Sequence, residues 1–313
     1  MRNFFQLRLG KGGAFVDECL DDGFVGVGWF ADTDLSVVFA SSTDMRQFNK
    51  QMIPIYLAEH PEAVKVTAGL ACGSTFTVCK GMQVGDVVLC PKGGNNYAVG
   101  EISSEYEYRK GTNLPHRRKV NWQKTSLNRG DFTTELKNAM GFIGTVSKIS
   151  HHAIELEALL TGQSAMTLLS TDPTVEDPSI FALEKHLEDF LVANWKGTEL
   201  SKQYDIYEDA GEIVGQQYMT DTGPMDILAI SKDRKELLVI ELKKGRVSDV
   251  VVGQIQRYMG YAKEELCEEG QSVRGLIIGL EDDNKLRRAL SATVNIDFYR
   301  YAVDFKLIKG FAD

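Results

Sequence analysis

Residues 223–244 read GPMDILAISKDRKELLVIELKK, and this stretch decides the fold of the C-terminal half. Two apolar runs flank a polar segment, residues 232–235, which is the pattern of an antiparallel β-hairpin. Asp226 lies in the first apolar run, and Glu241 interrupts the second. Because a buried charge is costly unless it is paired or bound to a metal, the two acidic residues mark a candidate site.

The hairpin also predicts how the candidate site is arranged. Glu241 and Lys243 are two residues apart and so point to the same face of a strand. Pairing of the two strands brings Asp226 level with them. Mg²⁺ prefers oxygen ligands, so we expect Asp226, Glu241 and the carbonyl of Leu242 to bind Mg²⁺ or Mn²⁺. Lys243 would orient a water molecule or stabilise charge on a phosphate. The alternative is a buried ion pair at a sheet edge.

The flanking sequence adds further candidates. An amphipathic helix is predicted over residues 179–194, and its Glu188, or else Glu184, can add a carboxylate. Gln254 and Tyr258 are four residues apart and share one face of the helix predicted over residues 247–266. Helices and strands alternate through this half, which predicts an α/β domain with a mixed sheet flanked by helices.

The motifs GPMD, VIELKKG and GQIQRYMG, in this order, resemble the C-terminal nuclease domain of the NucS-type endonucleases. These enzymes belong to the RecB-like branch of the PD-(D/E)XK superfamily, and the resemblance covers about residues 180–280. It implies a metal-dependent DNA endonuclease. It also implies roles for these residues: metal ligands Asp226 and Glu241, catalytic Lys243, cleft residues Gln254 and Tyr258, and helix acid Glu188.

Composition and charge divide the chain into two parts. The 313 residues predict two domains, residues 1–161 and 179–313, joined by a linker at residues 162–178. The first 161 residues contain 17 basic and 17 acidic side chains, whereas the remainder contains 18 and 27 and carries the whole net charge of −9. Residues 108–130 hold seven basic side chains and no acidic one. This segment is therefore the candidate nucleic-acid-binding surface.

Short strands, glycine-rich turns and a few helices predict a small α+β barrel for the N-terminal half. Its motifs GKGGAF, GFVGVGW, VGEI and LPHRRKVNW resemble PUA-like domains, including the EVE type. The resemblance implies nucleic-acid binding, in several cases through a flipped, modified base. The candidates for stacking on a base are Trp29, Phe30, Tyr97 and Trp122. The candidates for binding phosphate are Arg109, Lys110, Arg117, Arg118 and Lys119. The alternative is that the aromatic residues form the barrel core and the basic run is a solvated loop.

Several classes of protein are disfavoured by the sequence. The five cysteines are odd in number and show no C-x₂-C spacing, so we expect buried thiols rather than a zinc site. No window approaches the ~20 apolar residues of a membrane span, and no apolar signal core opens the chain, so a cytoplasmic protein is expected. The sequence thus predicts a DNA endonuclease of restriction or phage defence, and a homodimer is compatible with it. An RNA-directed nuclease and a non-catalytic nucleic-acid-binding protein with a degenerate nuclease fold are the alternatives.

Overall fold

The computed structural model describes residues 2–142, 144–161, 187–209 and 211–301. These residues form two six-stranded sheets, one in each half of the chain, and a short two-stranded ribbon. The predicted linker, residue Glu184 and the start of the predicted helix at 179–194 lie outside the described residues. The domain boundary therefore stays a prediction.

The sheet of the N-terminal half is largely antiparallel. Its strands are β1 Phe4–Leu7, β2 Phe24–Val27, β3 Val87–Pro91, β4 Asn96–Tyr108, β5 His116–Asn128 and β6 Val146–Lys148. They lie in the order β2-β5-β4-β3-β1-β6, and only β1 and β3 pair in parallel. Within the described residues no pairing joins β2 to β6. The mixture of strands and helices is as predicted, but a closed PUA-like barrel is not confirmed.

Helices cover this sheet and extend towards the second half. They are α1 Val16–Asp21, α2 Ser36–Ser41, α3 Met45–Glu59, α4 Lys65–Phe76, α5 Thr134–Ala139 and α6 Ala153–Thr161. Helix α3 begins after Asp44, whose side chain accepts a hydrogen bond of 2.9 Å from the backbone N–H of Gln47 and so caps the helix. Helix α4 is apolar on most sides and mostly buried, which is typical of a helix packed between two layers.

The sheet of the C-terminal half is mixed, as predicted. Its strands are β7 Tyr204–Ile206, β10 Gln216–Thr220, β11 Gly223–Ser231, β12 Glu236–Val247, β13 Ser272–Asp282 and β14 Ile296–Arg300, while β8 Glu208–Asp209 and β9 Glu212–Ile213 form the ribbon. Strand β11 pairs in antiparallel fashion with β10 and β12, and β13 pairs in parallel with β12 and β14. Strand β7 pairs in antiparallel fashion with the C-terminal end of β11, after the part of β11 that pairs with β10. The helices are α7, residues 187–193, then α8 Val250–Tyr261 and α9 Asn284–Ser291.

The two faces of this sheet bury different cores. Leu237 and Val239 of β12 pack with α8, whereas Leu238 and Ile240 pack on the opposite face with Trp195 and the α7 side of the domain. Because side chains alternate along a strand, Glu241 and Lys243 lie on the same face as Leu237 and Val239, which is the α8 face. None of the helices in the described residues is long and apolar enough to cross a membrane.

The two halves share a buried interface. Val66 of α4 belongs to the core of the C-terminal half, and its carbonyl accepts a hydrogen bond of 3.0 Å from the hydroxyl of Tyr218 in β10. Lys65 donates its Nζ to the carbonyl of Cys267 at 2.7 Å and its backbone N–H to Glu268 at 2.8 Å. Helix α4 therefore joins the N-terminal half directly to the strand that precedes the hairpin.

The contact between α4 and Tyr218 predicts a site-specific loss of stability. A Cβ at Gly69 would lie 2.6 Å from the Tyr218 hydroxyl oxygen and 3.1 Å from Leu266. Gly69→Ala should therefore destabilise the protein by about 1–3 kcal/mol through overpacking. The matched control is Gly73→Ala in the same helix, where the nearest atom would be 3.7 Å away. This control should be neutral or stabilise by up to ~1 kcal/mol, as expected for replacing glycine in a helix. Urea unfolding of both variants checks the difference, and equal stabilities would contradict the interface.

Candidate active site

Strands β11 and β12 place the two predicted metal ligands opposite each other. Their register runs from Ile230 paired with Leu237 to Ile227 paired with Ile240. One residue further along the same register, Asp226 faces Glu241 across the two strands. The sequence prediction that the hairpin brings these carboxylates level is consistent with this register.

Hydrogen bonds fix the orientation of these side chains. Asp226 Oδ2 accepts the backbone N–H of Leu242 at 2.7 Å. Lys243 Nζ lies 3.1 Å from Glu241 Oε1, so the lysine and the carboxylate form an ion pair on one strand face. Glu241 is 1% exposed, while the side chain of Lys243 keeps 21% of its surface exposed. The lysine side chain is thus partly accessible to solvent, whereas the carboxylate is buried.

A third carboxylate reaches the site from helix α7. Glu188 is buried, and it accepts hydrogen bonds from the side-chain amides of two consecutive residues of β10, Gln216 and Gln217. The amide of Gln217 also donates to Asp226 Oδ1 at 3.3 Å. The structure therefore links the helix acid to the strand acid through one glutamine. Neither glutamine was singled out from the sequence, because strand β10 was not predicted.

Helix α8 covers the same face of the sheet with the predicted cleft residues. Tyr258 is buried and forms a side-chain hydrogen bond with Gln254. Burial raises the pKa of the Tyr258 hydroxyl; the charges of Glu241 and Asp226 add to this effect, while the Gln254 hydrogen bond and the charge of Lys243 oppose it. The tyrosine is thus neutral at ordinary pH and close enough to the acidic pair to sense its charge.

A β-bulge ends the regular part of β12 next to the site. The pairing with β13 shifts register between Lys243, opposite Gly279, and Arg246, opposite Glu281. Such a bulge inserts one extra residue and turns the following backbone. The regular pairing of β12 with β13 is therefore interrupted immediately after the candidate catalytic lysine and resumes at Arg246.

The donor set fits a hard divalent cation. Mg²⁺ binds through one or two carboxylates and retains several waters, so the facing pair Asp226 and Glu241 is sufficient. The backbone N–H of Leu242 donates to Asp226, so the Leu242 residue predicted to supply a carbonyl lies next to this carboxylate. Within the described ranges no three His, Cys, Asp or Glu side chains converge as a complete metal cage. The two facing carboxylates are the type and number of protein ligands that Mg²⁺ or Mn²⁺ would use here.

Comparison with known proteins bears on each half separately. Residues 195–301 match the family described as the endonuclease NucS C-terminal domain, and residues 6–149 match a domain of unknown function, DUF8426. The predicted resemblance of the C-terminal half to NucS is confirmed. Endonuclease NucS of Methanocaldococcus jannaschii is 30% identical to this chain over 97 residues, which cover 29% of this chain and 36% of the relative. The chain thus matches about a third of the length of that relative.

Two solved structures are similar at a lower level. One is described as the crystal structure of a repair endonuclease from Pyrococcus abyssi, with 14% identity, coverage of 67% of this chain and 63% of that chain, and a TM-score of 0.31. The other is described as the structure of an EndoMS–dsDNA2 complex, with 14% identity, coverage of 70% and 66%, and a TM-score of 0.32. Scores this low do not establish a shared overall fold.

The aromatic residues proposed for base stacking are not gathered at one open surface. Phe30 and Tyr97 are buried in two different cores of the N-terminal half. Trp29 and Trp122 are half-buried against the first of these cores, and Trp122 donates its indole N–H to the carbonyl of Cys19 at 2.8 Å. The burial of Phe30 and Tyr97 contradicts their assignment to base stacking, because their rings are part of the hydrophobic cores.

The prediction that Arg117 and Arg118 bind phosphate also does not hold. Both are buried, at 4% and 1% exposure. The Arg117 guanidinium lies 3.7 Å from the centre of the Phe24 ring and bonds to the Leu114 carbonyl at 2.6 Å. Arg118 donates hydrogen bonds to the carbonyls of Ser104, Cys79 and Met82, with donor–acceptor distances of 2.6, 3.1 and 2.9 Å respectively. These cations bind the backbone of their own domain.

The remaining phosphate-binding candidates are exposed. Arg109 and Lys110 lie at the end of the β4–β5 hairpin, and Lys119 projects from β5. Arg109 is 3.1 Å from Glu107, and Lys110 is 4.0 Å from Asp32. Exposed pairs of this kind contribute little to stability, so these side chains can exchange their partners for phosphate.

The revised role of Arg118 predicts a large loss of stability. Arg118→Ala should destabilise the protein by roughly 3 kcal/mol or more, because it leaves a cavity and three carbonyls without their donor. The neighbouring Lys119→Ala is the matched control and should change stability by no more than about 0.5 kcal/mol. Chemical denaturation measures both. A stable Arg118→Ala variant that loses only nucleic-acid binding would restore the original assignment.

Proposed function

We propose that this chain is a divalent-metal-dependent DNA endonuclease whose C-terminal half hydrolyses phosphodiester bonds. One observation carries the proposal: Asp226 and Glu241 face each other across β11 and β12, with Lys243 3.1 Å from Glu241 on the same face. This arrangement lies inside the residues that match the NucS C-terminal domain.

The proposed chemistry assigns a task to each side chain. Asp226, Glu241 and the Leu242 carbonyl would hold Mg²⁺ or Mn²⁺, which when bound polarises the phosphate and acidifies a water molecule. The partly exposed Lys243 would orient the attacking water or stabilise the negative charge that develops on the phosphate. Tyr258 would close the α8 side of the site.

The N-terminal half is proposed to supply the nucleic-acid-binding surface, with residues 1–161 and 179–313 as the two domains. The exposed hairpin with Arg109 and Lys110 supports this, since cations at a protruding tip can approach a phosphate backbone without distorting the core. A binding half joined to a nuclease half is the arrangement expected of restriction and phage-defence enzymes, which we propose as the biological setting. The second candidate function is cleavage of RNA.

A substrate assay tests the proposal directly. The full chain is incubated with unmodified duplex DNA, base-modified phage DNA and RNA, each with Mg²⁺, with Mn²⁺ or with a chelator. Metal-dependent cleavage of either DNA supports the endonuclease, and a preference for modified DNA supports the defence role. Cleavage of RNA alone, or no cleavage of any substrate, would overturn it.

Substitutions within the site should separate metal binding from chemistry. Asp226→Ala and Glu241→Ala should each lose both cleavage and calorimetrically detected Mn²⁺ binding, because a metal ligand is removed. Lys243→Ala should lose cleavage by about 10²-fold or more, the usual effect of deleting a group that stabilises transition-state charge, while it retains Mn²⁺ binding.

Asp205→Ala provides the control for these variants. Asp205 is an exposed carboxylate in β7, on the same sheet, paired with Lys232. This variant should cleave and bind Mn²⁺ as the parent does. Normal cleavage by both Asp226→Ala and Glu241→Ala would show that the site is wrongly assigned, and loss of Mn²⁺ binding in Lys243→Ala would contradict the role given to the lysine.

The binding role of the N-terminal half predicts a change in salt dependence. Each phosphate neutralised on duplex DNA adds about −0.9 to the slope of log K against log salt. Replacing Arg109, Lys110 and Lys119 together with alanine should flatten this slope by up to roughly 3 units. Lys148→Ala, an exposed lysine at the opposite edge of the sheet, is the control. Equal slopes for the triple variant and the parent in a fluorescence binding titration would remove this surface from the interface.

A further inference from the structure

Strand β10 carries a residue whose backbone and side chain are both unusual. Gln217 has a φ of 51°, in the left-handed region that side chains with a Cβ rarely adopt. The same residue directs its side-chain amide between two carboxylates, Glu188 on helix α7 and Asp226 on β11. Strained backbone that persists next to a candidate active site points to a functional constraint rather than to packing alone.

The neighbours of Gln217 hold it in this conformation. Gln216 pairs with Ile227, and Tyr218 pairs with Met225, so the strand is fixed on both sides of the strained residue. Tyr218 is almost fully buried, and its hydroxyl is bonded to Val66 of the N-terminal half. The strain is therefore maintained by contacts that lie outside the acidic site.

The two glutamines of β10 differ in what they connect. Gln216 donates to Glu188 at 2.7 Å and to Asp189 at 2.9 Å, both on helix α7. Gln217 donates to Glu188 and also, at 3.3 Å, to Asp226 on the sheet. Of the two, only Gln217 links the helix carboxylate to a proposed metal ligand.

We propose that Gln217 is a positioning residue, which holds the carboxylates of Glu188 and Asp226 towards each other in the arrangement that a divalent cation requires. This inference rests on the metal-dependent nuclease proposed above. The two negatively charged carboxylates repel each other. A side-chain amide is neutral and has two N–H groups, so it can donate a hydrogen bond to each carboxylate without adding charge. Asp226 also accepts the Leu242 N–H, so the network continues from helix α7 through β10 and β11 to β12.

The test compares variants of the full chain for Mn²⁺ binding by calorimetry. Gln217→Met keeps the length and approximate volume of the side chain but removes its N–H donors. It should weaken Mn²⁺ binding by about 10–100-fold, the usual cost of losing a partner that orients a metal ligand. Gln216→Met, which removes a donor to Glu188 but no link to Asp226, is the matched control and should have a clearly smaller effect. Cleavage by Gln217→Met should recover as Mn²⁺ is raised, since the defect acts through metal binding.

A second variant distinguishes the loss of the side-chain amide from a defect in folding. Gln217→Gly lacks the amide but adopts a positive φ without strain, so it should fold at least as well as the parent, as measured by thermal unfolding in chelator. It should show the same loss of Mn²⁺ affinity as Gln217→Met. A packing role alone would leave the affinity of Gln217→Met unchanged.

The outcomes separate this inference from the proposed function. Asp226→Ala is measured alongside, and unchanged Mn²⁺ binding in that variant would overturn the metal site itself. Loss of binding in Asp226→Ala with unchanged binding in both Gln217 variants would overturn only the positioning role. Tighter Mn²⁺ binding in the Gln217 variants would also overturn it, because the amide would then compete with the cation for the two carboxylates.

Discussion

Repulsion between buried carboxylates is the constraint on which the C-terminal half depends. Glu188 and Glu241 are 2% and 1% exposed, and Asp226 lies opposite Glu241 on the sheet and shares the Gln217 amide with Glu188. Taking charges out of water costs several kcal/mol for each ion, so such a group persists only when donors and counter-charges surround it. The protein supplies these as the Lys243 ammonium, the Leu242 N–H and the amide of Gln217. The mixed sheet, helix α7 and strand β10 are the elements that bring these groups to one place.

This constraint extends into the N-terminal half. Strand β10 packs against α4, through the hydrogen bond from Tyr218 to the carbonyl of Val66 and through the close approach of Gly69 to Tyr218. A change in the N-terminal half that shifts α4 would therefore move the strand that carries Gln217. The two halves therefore contact each other through buried side chains, close to the strand that carries Gln217.

The parts of the fold that the sequence predicted share a strong local signal. The β11–β12 hairpin was predicted because two apolar runs flank a polar turn, and Glu241 stood out because a charge interrupts an apolar run. Helix α4 was missed, since its glycines are poor helix formers and its apolar residues show no single face. Gln217 was missed for a different reason. Its role follows from register and from a positive φ, and neither leaves a periodic pattern in the sequence.

The basic segment shows how far charge patterning can mislead. Adjacent residues of a strand point to opposite faces, and in β5 both faces are covered at Arg117 and Arg118. One arginine lies against Phe24, and the other binds carbonyls at the end of the helical segment that follows α4. A count of charges treats these residues like the exposed Lys119, although only an exposed cation can exchange counterions with a phosphate backbone.

The burial of these arginines also limits the surface that could bind the proposed DNA substrate. Of the seven basic residues in 108–130, Arg117 and Arg118 are buried, and Arg129 is half-buried with its guanidinium on the Lys137 carbonyl. The exposed remainder is Arg109 and Lys110 after the end of β4, and Lys119 and Lys124 along β5, while the C-terminal half carries the net negative charge. Long-range attraction of the proposed DNA substrate would therefore be weak, and affinity would come from close contacts with the exposed cations and with the proposed metal site. The proposed nuclease would then depend on shape and on local charge more than on the overall electrostatic field of the protein.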